Sequence, residues 1–349
     1  MGHSCSRWRC FCLLILGSWF VIFILTDEPF GLSLPIECKR LDTELFLDLE
    51  GEMDGVNDRA EVLRDYALKC FPTDWTVMLY KDGTSSSEMD FKQGFGFFEF
   101  LSEIVNQDQA TQASIKAKLD VLQFQHKCAI IGNSGILVNS SCGNEIDNNY
   151  DYVIRSNIAP IRNFERDVGT KTNLTVLNYS ITNTLYLVFS SSGQTKEKAI
   201  FMERLRWLND SVLWYHKGAR TRFWAKRKLR YLANELKISY NLPIRIAYTY
   251  TPMEHLTKWF WSIDVPYTTT GLNMFTAAAA FCADITLYGF YPFKIDNRGR
   301  QIRHHYFENL QFDYNYNRIH NFQKEFSLLQ TLDKMNVLHL KTTPCIEYI

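Results

Sequence analysis

The chain has 349 residues, enough for one large domain or two small ones, with 46% apolar and 22% charged residues. Its formal net charge is zero, which argues against a protein that binds nucleic acid mainly through a basic surface. Aromatic residues make up 15% of the chain, which fits a Phe- and Tyr-rich core and also a cleft that holds sugars.

The first predicted element is an uncharged apolar run at residues 10–26, with two arginines before it and two acidic residues after it. Its 17 residues are at the short end for a membrane-spanning helix. The flanking charges predict that residues 1–9 stay in the cytoplasm and that the rest of the chain is translocated. A cleaved signal peptide is the alternative, but bulky Trp19, Phe20 and Phe23 favour an uncleaved anchor.

Cysteine usage agrees with translocation. Six cysteines follow the apolar run without any C-x-x-C spacing, so disulfides in an oxidising compartment are favoured over a zinc site: Cys38, Cys70, Cys128, Cys142, Cys282 and Cys345. Their pairing stays open at this level. Four N-x-S/T sequons fit the same compartment and predict N-glycosylation at Asn139, Asn173, Asn178 and Asn209.

We assign residues 27–75 to a stem that leads into a catalytic domain at residues 76–349, with one helix expected at residues 57–69 and another near 109–124. From residue 127 onward, short apolar runs alternate with helical patterns. This alternation predicts an α/β, Rossmann-like fold with a largely parallel central sheet flanked by helices. The expected strands are 128–132, 150–155, 174–178, 211–215, 244–248 and 285–290, and the expected helices are 196–208, 225–236, 274–283 and 320–334.

The first motif with chemical content is the turn Gly-Asn-Ser-Gly at residues 132–135, directly after an apolar strand. Asn133 offers an amide donor and an acceptor, which suits a nucleotide base or ribose. The turn resembles a Gly-rich phosphate loop but lacks the lysine of a P-loop, and alone it indicates only a turn.

Further motifs follow it in order: IRSN at 154–157, RDVGTKTNLTVLN at 166–178, TTTGLNMFTAAAAFCADITLYGFYPF at 268–293, HHYFE at 304–308 and HNFQKE at 320–325. Together they resemble the large, small, third and very small sialylmotifs of the eukaryotic sialyltransferases, closest to the α-2,8 branch. The likeness spans residues 127–345. Ser156, Thr269 and Tyr291 depart from the usual Cys, Ser and Trp of that branch.

The resemblance implies a GT-A-variant sialyltransferase fold and a transfer of sialic acid from CMP-sialic acid to a sialylated glycan, with inversion and α-2,8 linkage. It implies no cofactor. An N-terminal transmembrane anchor together with this family predicts a Golgi membrane protein, single-pass type II, with the catalytic domain in the lumen. The sequence leaves a homodimer open, as well as the acceptor and the number of sialic acids added.

The resemblance also implies site residues. His320 is the predicted general base that takes the acceptor's proton, since a histidine titrates near ambient pH. His305 is predicted to serve the departing CMP phosphate, and Tyr306 to add a hydroxyl donor, because the chain has no Asp-x-Asp to hold a metal. We expect a structural role for Glu325. The predicted donor-binding residues are Asn133, Asn157, Asn178, Thr269, Thr270, Gly271 and Tyr291.

Two disulfides, Cys128–Cys282 and Cys142–Cys345, are implied by the resemblance as well. The basic stretch 216–230 is either a solvated helix face or a dock for an anionic sialylated acceptor or lipid head groups. Two other function classes compete with the transferase: a catalytically silent membrane-anchored lectin or partner subunit on the same fold, and a secreted hydrolase. The two histidines argue against the former, and the absence of a G-x-S-x-G sequence or a paired-carboxylate motif argues against the latter.

Overall fold

The computed structural model of the chain describes residues 41, 58–71, 78–79, 122–208, 211–218, 223–242, 244–249, 252–311 and 319–346. The predicted anchor at 10–26 and most of the expected helix near 109–124 lie outside these ranges. Within them, no helix combines the length and the apolar character needed to cross a membrane.

One eight-stranded sheet forms the centre of the described fold. Its strands are β1 (Met78–Leu79), β2 (Gln125–Ile131), β3 (Tyr152–Ser156), β4 (Leu174–Leu177), β5 (Val212–Tyr215), β6 (Arg245–Tyr248), β7 (Cys282–Tyr288) and β8 (His339–Lys341). Their order is β1-β6-β5-β4-β3-β2-β7-β8. Strand β1 pairs antiparallel with β6, and every other neighbouring pair is parallel.

Helices connect the parallel strands, as crossovers between parallel strands require. They are α1 (Asp58–Cys70), α2 (Gly143–Asn149), α3 (Glu165–Val168), α4 (Tyr179–Ser190), α5 (Lys196–Arg206), α6 (Phe223–Ile238), α7 (Met253–Phe260), α8 (Thr270–Ala279) and α9 (Phe322–Lys334). The predicted α/β class and parallel sheet are confirmed. Helices α2, α3, α4 and α7 and strands β1 and β8 were not expected.

Two helices that border the cavity begin at other residues than predicted. Helix α8 begins one turn earlier than expected because the Thr269 side chain caps it, accepting a hydrogen bond from the Leu272 N–H at 3.1 Å. It therefore ends at Ala279, and Cys282 lies in β7, where it pairs with Gln125. Helix α9 begins at Phe322 with Asn321 as its cap, so that His320 precedes the helix instead of opening it.

The core lies on the sheet and beneath these helices. Strands β3 to β5 and the second half of β2 bury nearly every side chain, as expected for parallel strands that are covered on both faces. Helix α1, which the sequence analysis placed in the stem, buries Leu63 and Ala67 in the same cluster as α8 and β7. Phe71 follows it and packs edge-on against Phe260 at 5.3 Å. Burying each such phenylalanine stabilises the fold by about 1.5–3 kcal/mol.

The structure contains both disulfides that the family resemblance implied. Cys128 in β2 bonds to Cys282 in β7, with 154 residues between them in the sequence. Cys142, just before α2, bonds to Cys345, at a separation of 203 residues. Cys70 is also disulfide-bonded, and Cys38 lies outside the described residues. The first bond ties the neighbouring strands β2 and β7 together, and the second holds the segment after β8 against the loop that follows β2.

Candidate active site

A cavity of about 360 Å³ lies at the carboxyl edge of the sheet. From β2, the successive strands β3 to β6 are added on one side, whereas β7 and β8 are added on the other side. In open α/β sheets, ligands bind at such a switch point. Residues that directly follow β2, β3, β4 and β7 line the cavity, and the beginnings of α8 and α9 form its remaining wall. The fold thus brings four separate sialylmotif segments together at one place.

Glycines allow β2 and β7 to end close together. A Cβ on Gly132 would lie 2.5 Å from the carbonyl oxygen of Gly289, and a Cβ on Gly289 would lie 2.7 Å from that of Gly132. Gly289 also has a φ of 71°, which other residues rarely adopt. Any side chain here would push the strand ends apart and change the floor of the cavity.

Three asparagines at neighbouring strand ends hold the loops and face the cavity. Asn157, with a φ of 57°, accepts a hydrogen bond from the Asn178 N–H at 2.9 Å through Oδ1. Asn178 in turn caps α4 by accepting from the Ile181 N–H at 2.9 Å. The Asn133 amide nitrogen donates to the carbonyl of Ser156 at 3.5 Å. The predicted donor-binding asparagines therefore also join β2, β3 and β4.

The N-terminus of α8 opens onto the cavity through Thr270 and Gly271. Backbone N–H groups at the start of a helix, together with the helix dipole, favour an anionic ligand such as a phosphate or carboxylate. A Cβ on Gly271 would lie 2.7 Å from the ring of Phe290, so glycine permits the close packing of this turn. The predicted donor-binding residues of this segment line the cavity.

Glu325 connects α9 to the start of α8. Its carboxylate accepts hydrogen bonds from both the N–H of Thr269, at 2.9 Å, and the Thr269 hydroxyl. Glu325 is 4% exposed, and this burial raises the pKa of its carboxyl to about 7, although the bonds from Thr269 and the charge of Lys217 act in the opposite direction. The structural role expected for Glu325 thus has a definite partner, 56 residues away in the sequence.

His320 lies at the mouth of the cavity. Its Nδ1 is 2.9 Å from the carbonyl oxygen of Tyr267. A carbonyl can only accept, so Nδ1 carries the proton and, in the neutral ring, Nε2 carries the lone pair. Burial lowers the pKa of His320, the Tyr267 carbonyl raises it, and the nearby charges of Lys217 and Glu254 act in opposite directions. The ring is therefore neutral and able to accept a proton at neutral pH.

His305 also lines the cavity, from the segment 304–308, and differs from His320 in its partner. Its Nδ1 forms an ion pair with the carboxylate of Glu308. Burial has the largest effect and lowers the pKa of His305 below its usual value, although the charge of Glu308 and its hydrogen bond oppose this. A negatively charged ligand in the cavity would also favour the protonated ring, which carries a proton on both nitrogens and can donate from Nε2 to that ligand.

Stacked planar groups hold His305 in place. The rings of His304 and His305 lie 3.9 Å apart, and Phe307 stacks on His305 at 5.1 Å with an interplanar angle of 17°. The guanidinium of Arg204, from α5, lies 5.7 Å from the centroid of the Phe307 ring. A helix outside the sialylmotifs therefore supports the orientation of a cavity histidine.

The group His304, His305 and Glu308 also has the composition of a metal site, because one ligand atom from each lies within 4.8 Å of the others. Imidazole and carboxylate ligands of this kind suit a cation such as Zn²⁺. Burial, followed by the charge of His305, lowers the pKa of His304 to about 4, so that its ring is neutral and could act as a ligand. The metal-free mechanism stays a prediction.

The structure brings both predicted catalytic histidines and all seven predicted donor-binding residues to this cavity: His305, His320, Asn133, Asn157, Asn178, Thr269, Thr270, Gly271 and Tyr291. The role predicted for Tyr306 is wrong. Its hydroxyl donates to the carbonyl of Pro160 at 2.7 Å, and its ring is 2% exposed, so it anchors the loop inside the core instead of facing the donor. Its burial raises its pKa.

The four sequons lie in different surroundings. Asn139 is exposed, and Asn209 lies outside the described residues. Asn173 uses Oδ1 to accept from the Val153 N–H at 2.8 Å. Asn178 lines the cavity, so a glycan on this residue would fill the space for the donor. The predictions that Asn178 is N-glycosylated and that it binds the donor therefore exclude each other.

Sequence reasoning missed several residues of the site. Phe322, Phe326 and Leu329 contribute apolar lining from α9. Lys217 and Glu254 form an ion pair, with side chains 12% and 4% exposed, near His320. Periodicity in α9 could have indicated the buried face that carries Phe326 and Leu329, but the ion pair joins positions 37 residues apart without a local pattern.

Comparisons with known proteins agree with the site. The model of glycosyltransferase family 29 (sialyltransferase) matches residues 79–337. An alpha-N-acetylneuraminide alpha-2,8-sialyltransferase of Xenopus tropicalis is 33% identical over 225 residues, which cover 63% of this chain and 61% of that protein. The chain thus spans less than two thirds of the length of this relative.

Two crystal structures of mammalian sialyltransferases are also similar. One, in complex with Gal-beta-1-3GalNAc-ortho-nitrophenol, has 21% identity and a TM-score of 0.42, covering 72% of this chain and 81% of its own. The other has 17% identity and a TM-score of 0.44, covering 90% and 99%. The family match extends over most of the chain and includes the segments that line the cavity. The protein therefore belongs to glycosyltransferase family 29, the sialyltransferases.

Proposed function

We propose that this sialyltransferase moves sialic acid from CMP-sialic acid to a terminal sialic acid of a glycolipid or glycoprotein glycan, forming an α-2,8 linkage with inversion. The proposal rests on one observation: His320, His305 and the N-terminus of α8 line the same cavity. These groups supply a base, a cationic hydrogen-bond donor and an anion-binding helix end.

The residues divide the reaction between them. Neutral His320 takes the proton from the attacking acceptor hydroxyl through Nε2. His305, which takes up a proton when the anionic donor is bound, donates to the phosphate of the departing CMP, where negative charge develops as the glycosidic bond breaks. The start of α8, with Thr270 and Gly271, faces the donor's anionic groups. No step in this scheme requires a metal or a cofactor.

The α-2,8 linkage is supported by the Xenopus relative and by the sequences of the sialylmotifs in this chain. We further propose that the protein is a type II membrane protein of the Golgi, anchored by residues 10–26, because the apolar run, the sequons and the disulfides fit a translocated chain. A homodimer is compatible with this arrangement.

The test uses the purified full chain, CMP-sialic acid and two acceptors, lactose and α-2,3-sialyllactose. We expect transfer to sialyllactose, a product with an α-2,8 bond by linkage-specific sialidase digestion, and unchanged activity in EDTA. Transfer to lactose alone would overturn the linkage, and binding of sialyllactose without turnover would favour a catalytically silent lectin. Loss of activity in EDTA that Mn²⁺ or Zn²⁺ restores would overturn the metal-free scheme.

A further inference from the structure

The sequence analysis left the role of the basic stretch 216–230 open. The second half of this stretch forms the beginning of α6, a helix that packs beside α4. Tyr179, the first residue of α4, packs edge-on against Trp224 of α6 with ring centroids 4.9 Å apart. About two turns further along both helices, Tyr186 packs against Tyr231 with ring centroids 5.4 Å apart. Because both ring pairs advance in the same direction along the chain, the two helices run parallel and both begin at the carboxyl edge of the sheet.

Lys228 does not belong to a solvated helix face. Its ammonium lies 4.7 Å from the centroid of the Trp224 ring and 5.2 Å from that of Tyr186, and it donates to the Oδ1 of Asn183. These contacts hold a flexible side chain in one place on a half-buried surface. An ammonium has three donor hydrogens, of which the contact with Asn183 uses one.

The surface formed by Tyr179, Trp224 and Lys228, which we name the ledge, continues the rim of the cavity. Asn178 lines the cavity, and Tyr179 follows it directly with 45% of its surface exposed. Strands β4 and β5, which lead into this region, lie two and three strands from β2, or about 10 and 14 Å along the sheet. That length matches one or two sugar rings.

The charged residues near the candidate base, His320, lie on the same side of the cavity as the ledge. The charged neighbours of His320 are Lys217 and Glu254, and they follow β5 and β6 in the chain. An acceptor whose hydroxyl reaches His320 can therefore extend toward β5, where the ledge lies. The predicted donor-binding residues follow β2, β3, β4 and β7, and the ledge lies next to them on the β5 side.

We propose that the ledge is an acceptor subsite, which packs a sugar ring of the sialylated glycan against Tyr179 and Trp224 and receives a sialic acid carboxylate at Lys228. Aromatic faces bind the apolar C–H faces of sugars, and an ammonium pairs with a carboxylate. Arg227, which precedes Lys228 and is exposed, adds positive charge to the same end of the helix. The inference rests on the proposed transfer to sialylated acceptors.

The test compares Lys228→Met and Tyr179→Ala with two control variants on the same helices, Lys237→Met and Leu187→Ala, in the full chain. We expect the KM for sialyllactose to rise about tenfold in Lys228→Met and about fivefold in Tyr179→Ala. The KM for CMP-sialic acid and the affinity for CMP should stay within twofold of the unaltered protein, which also shows that the variants fold. Lys228→Arg should recover part of the loss.

Acceptor KM values within twofold of the unaltered protein in both ledge variants would overturn the subsite while leaving the proposed linkage intact. A loss of binding to phosphatidylserine vesicles in Lys228→Met, with the acceptor KM unchanged, would also overturn it and assign the surface to the membrane. Failure of the unaltered protein to use sialyllactose is a separate result, and it would overturn the proposed function on which the subsite rests.

Discussion

The two histidine-bearing walls of the cavity differ in the partner that each ring holds. His320 binds a neutral backbone carbonyl, that of Tyr267, whereas His305 binds the charged carboxylate of Glu308. Burial lowers the pKa of both rings, but only at His305 does a hydrogen-bonded carboxylate oppose this effect. In the proposed reaction, His320 accepts a proton, whereas His305 donates a hydrogen bond to the departing phosphate.

The largest expected effect comes from removing the base. His320→Ala should lower the rate of transfer by about 10²- to 10⁴-fold, because it removes the proposed general base. The dissociation constant for CMP should stay unchanged, since His320 acts on the acceptor. Measuring kcat by product release and CMP affinity by calorimetry tests both parts.

The matched control is His126→Ala, which removes an exposed histidine at the amino end of β2, far along the strand from the cavity. It should keep the rate of the unaltered protein. Activity of His320→Ala within tenfold of that rate would remove His320 from the role of base and would erase the contrast between the two walls.

A smaller effect is expected when the carboxylate partner is removed. Glu308→Gln keeps the shape of the side chain but removes the charge that raises the pKa of His305, so the ring loses its proton at lower pH. The alkaline limb of the pH profile of kcat should therefore move to lower pH. The loss at neutral pH should be smaller than that in His305→Ala, for which we expect about 10²- to 10³-fold.

Profiles of kcat against pH for the unaltered protein and for Glu308→Gln, both with saturating donor, measure this shift. An alkaline limb at the same pH in both proteins would mean that Glu308 does not govern the protonation of His305, and the two walls would then be equivalent.

The smallest effect concerns stability on the His320 wall. The pKa of Glu325 rises from 4.5 to about 7 on folding, so the folded state binds its proton more tightly than the unfolded state. The stability from this group is fully present below pH 4.5 and is lost as the pH rises to about 7. Glu325→Gln lacks this dependence, and its free energy of unfolding relative to the unaltered protein should improve over that interval.

Denaturant unfolding at several pH values checks the prediction, with Glu197→Gln, at an exposed site on α5, as the control that should run parallel to the unaltered protein. A difference between Glu325→Gln and the unaltered protein that stays constant with pH would contradict the buried, protonated carboxyl.

Elements with a strong local pattern could be predicted from the sequence. The buried parallel strands stand out as continuous apolar runs, and the helices at 196–206 and 322–334 carry regular apolar spacing. Helix α2, with the sequence GNEIDNN, has almost no apolar residues, and the aromatic and β-branched composition of α4 is typical of strands. In both, tertiary packing and capping override the local preference.

The site divides in the same way. The cavity residues carried by motifs could be named in advance, whereas contacts between distant segments could not. No local pattern indicates that Glu325 binds Thr269, or that Arg204 lies over Phe307. The error at Tyr306 has the same origin, because a sequence does not indicate which side of a loop faces the core.

The bond between Cys142 and Cys345 has a consequence for the synthesis of the protein. A ribosome adds about 5–20 residues per second, so the 203 residues between these cysteines take about 10–40 s to make. Throughout that interval the Cys142 thiol, one short loop away from the donor turn, awaits its partner and is open to mispairing with earlier cysteines. A nascent chain halted before residue 345 would carry all the cavity motifs and still expose a thiol that thiol-dependent retention in the secretory pathway could detect.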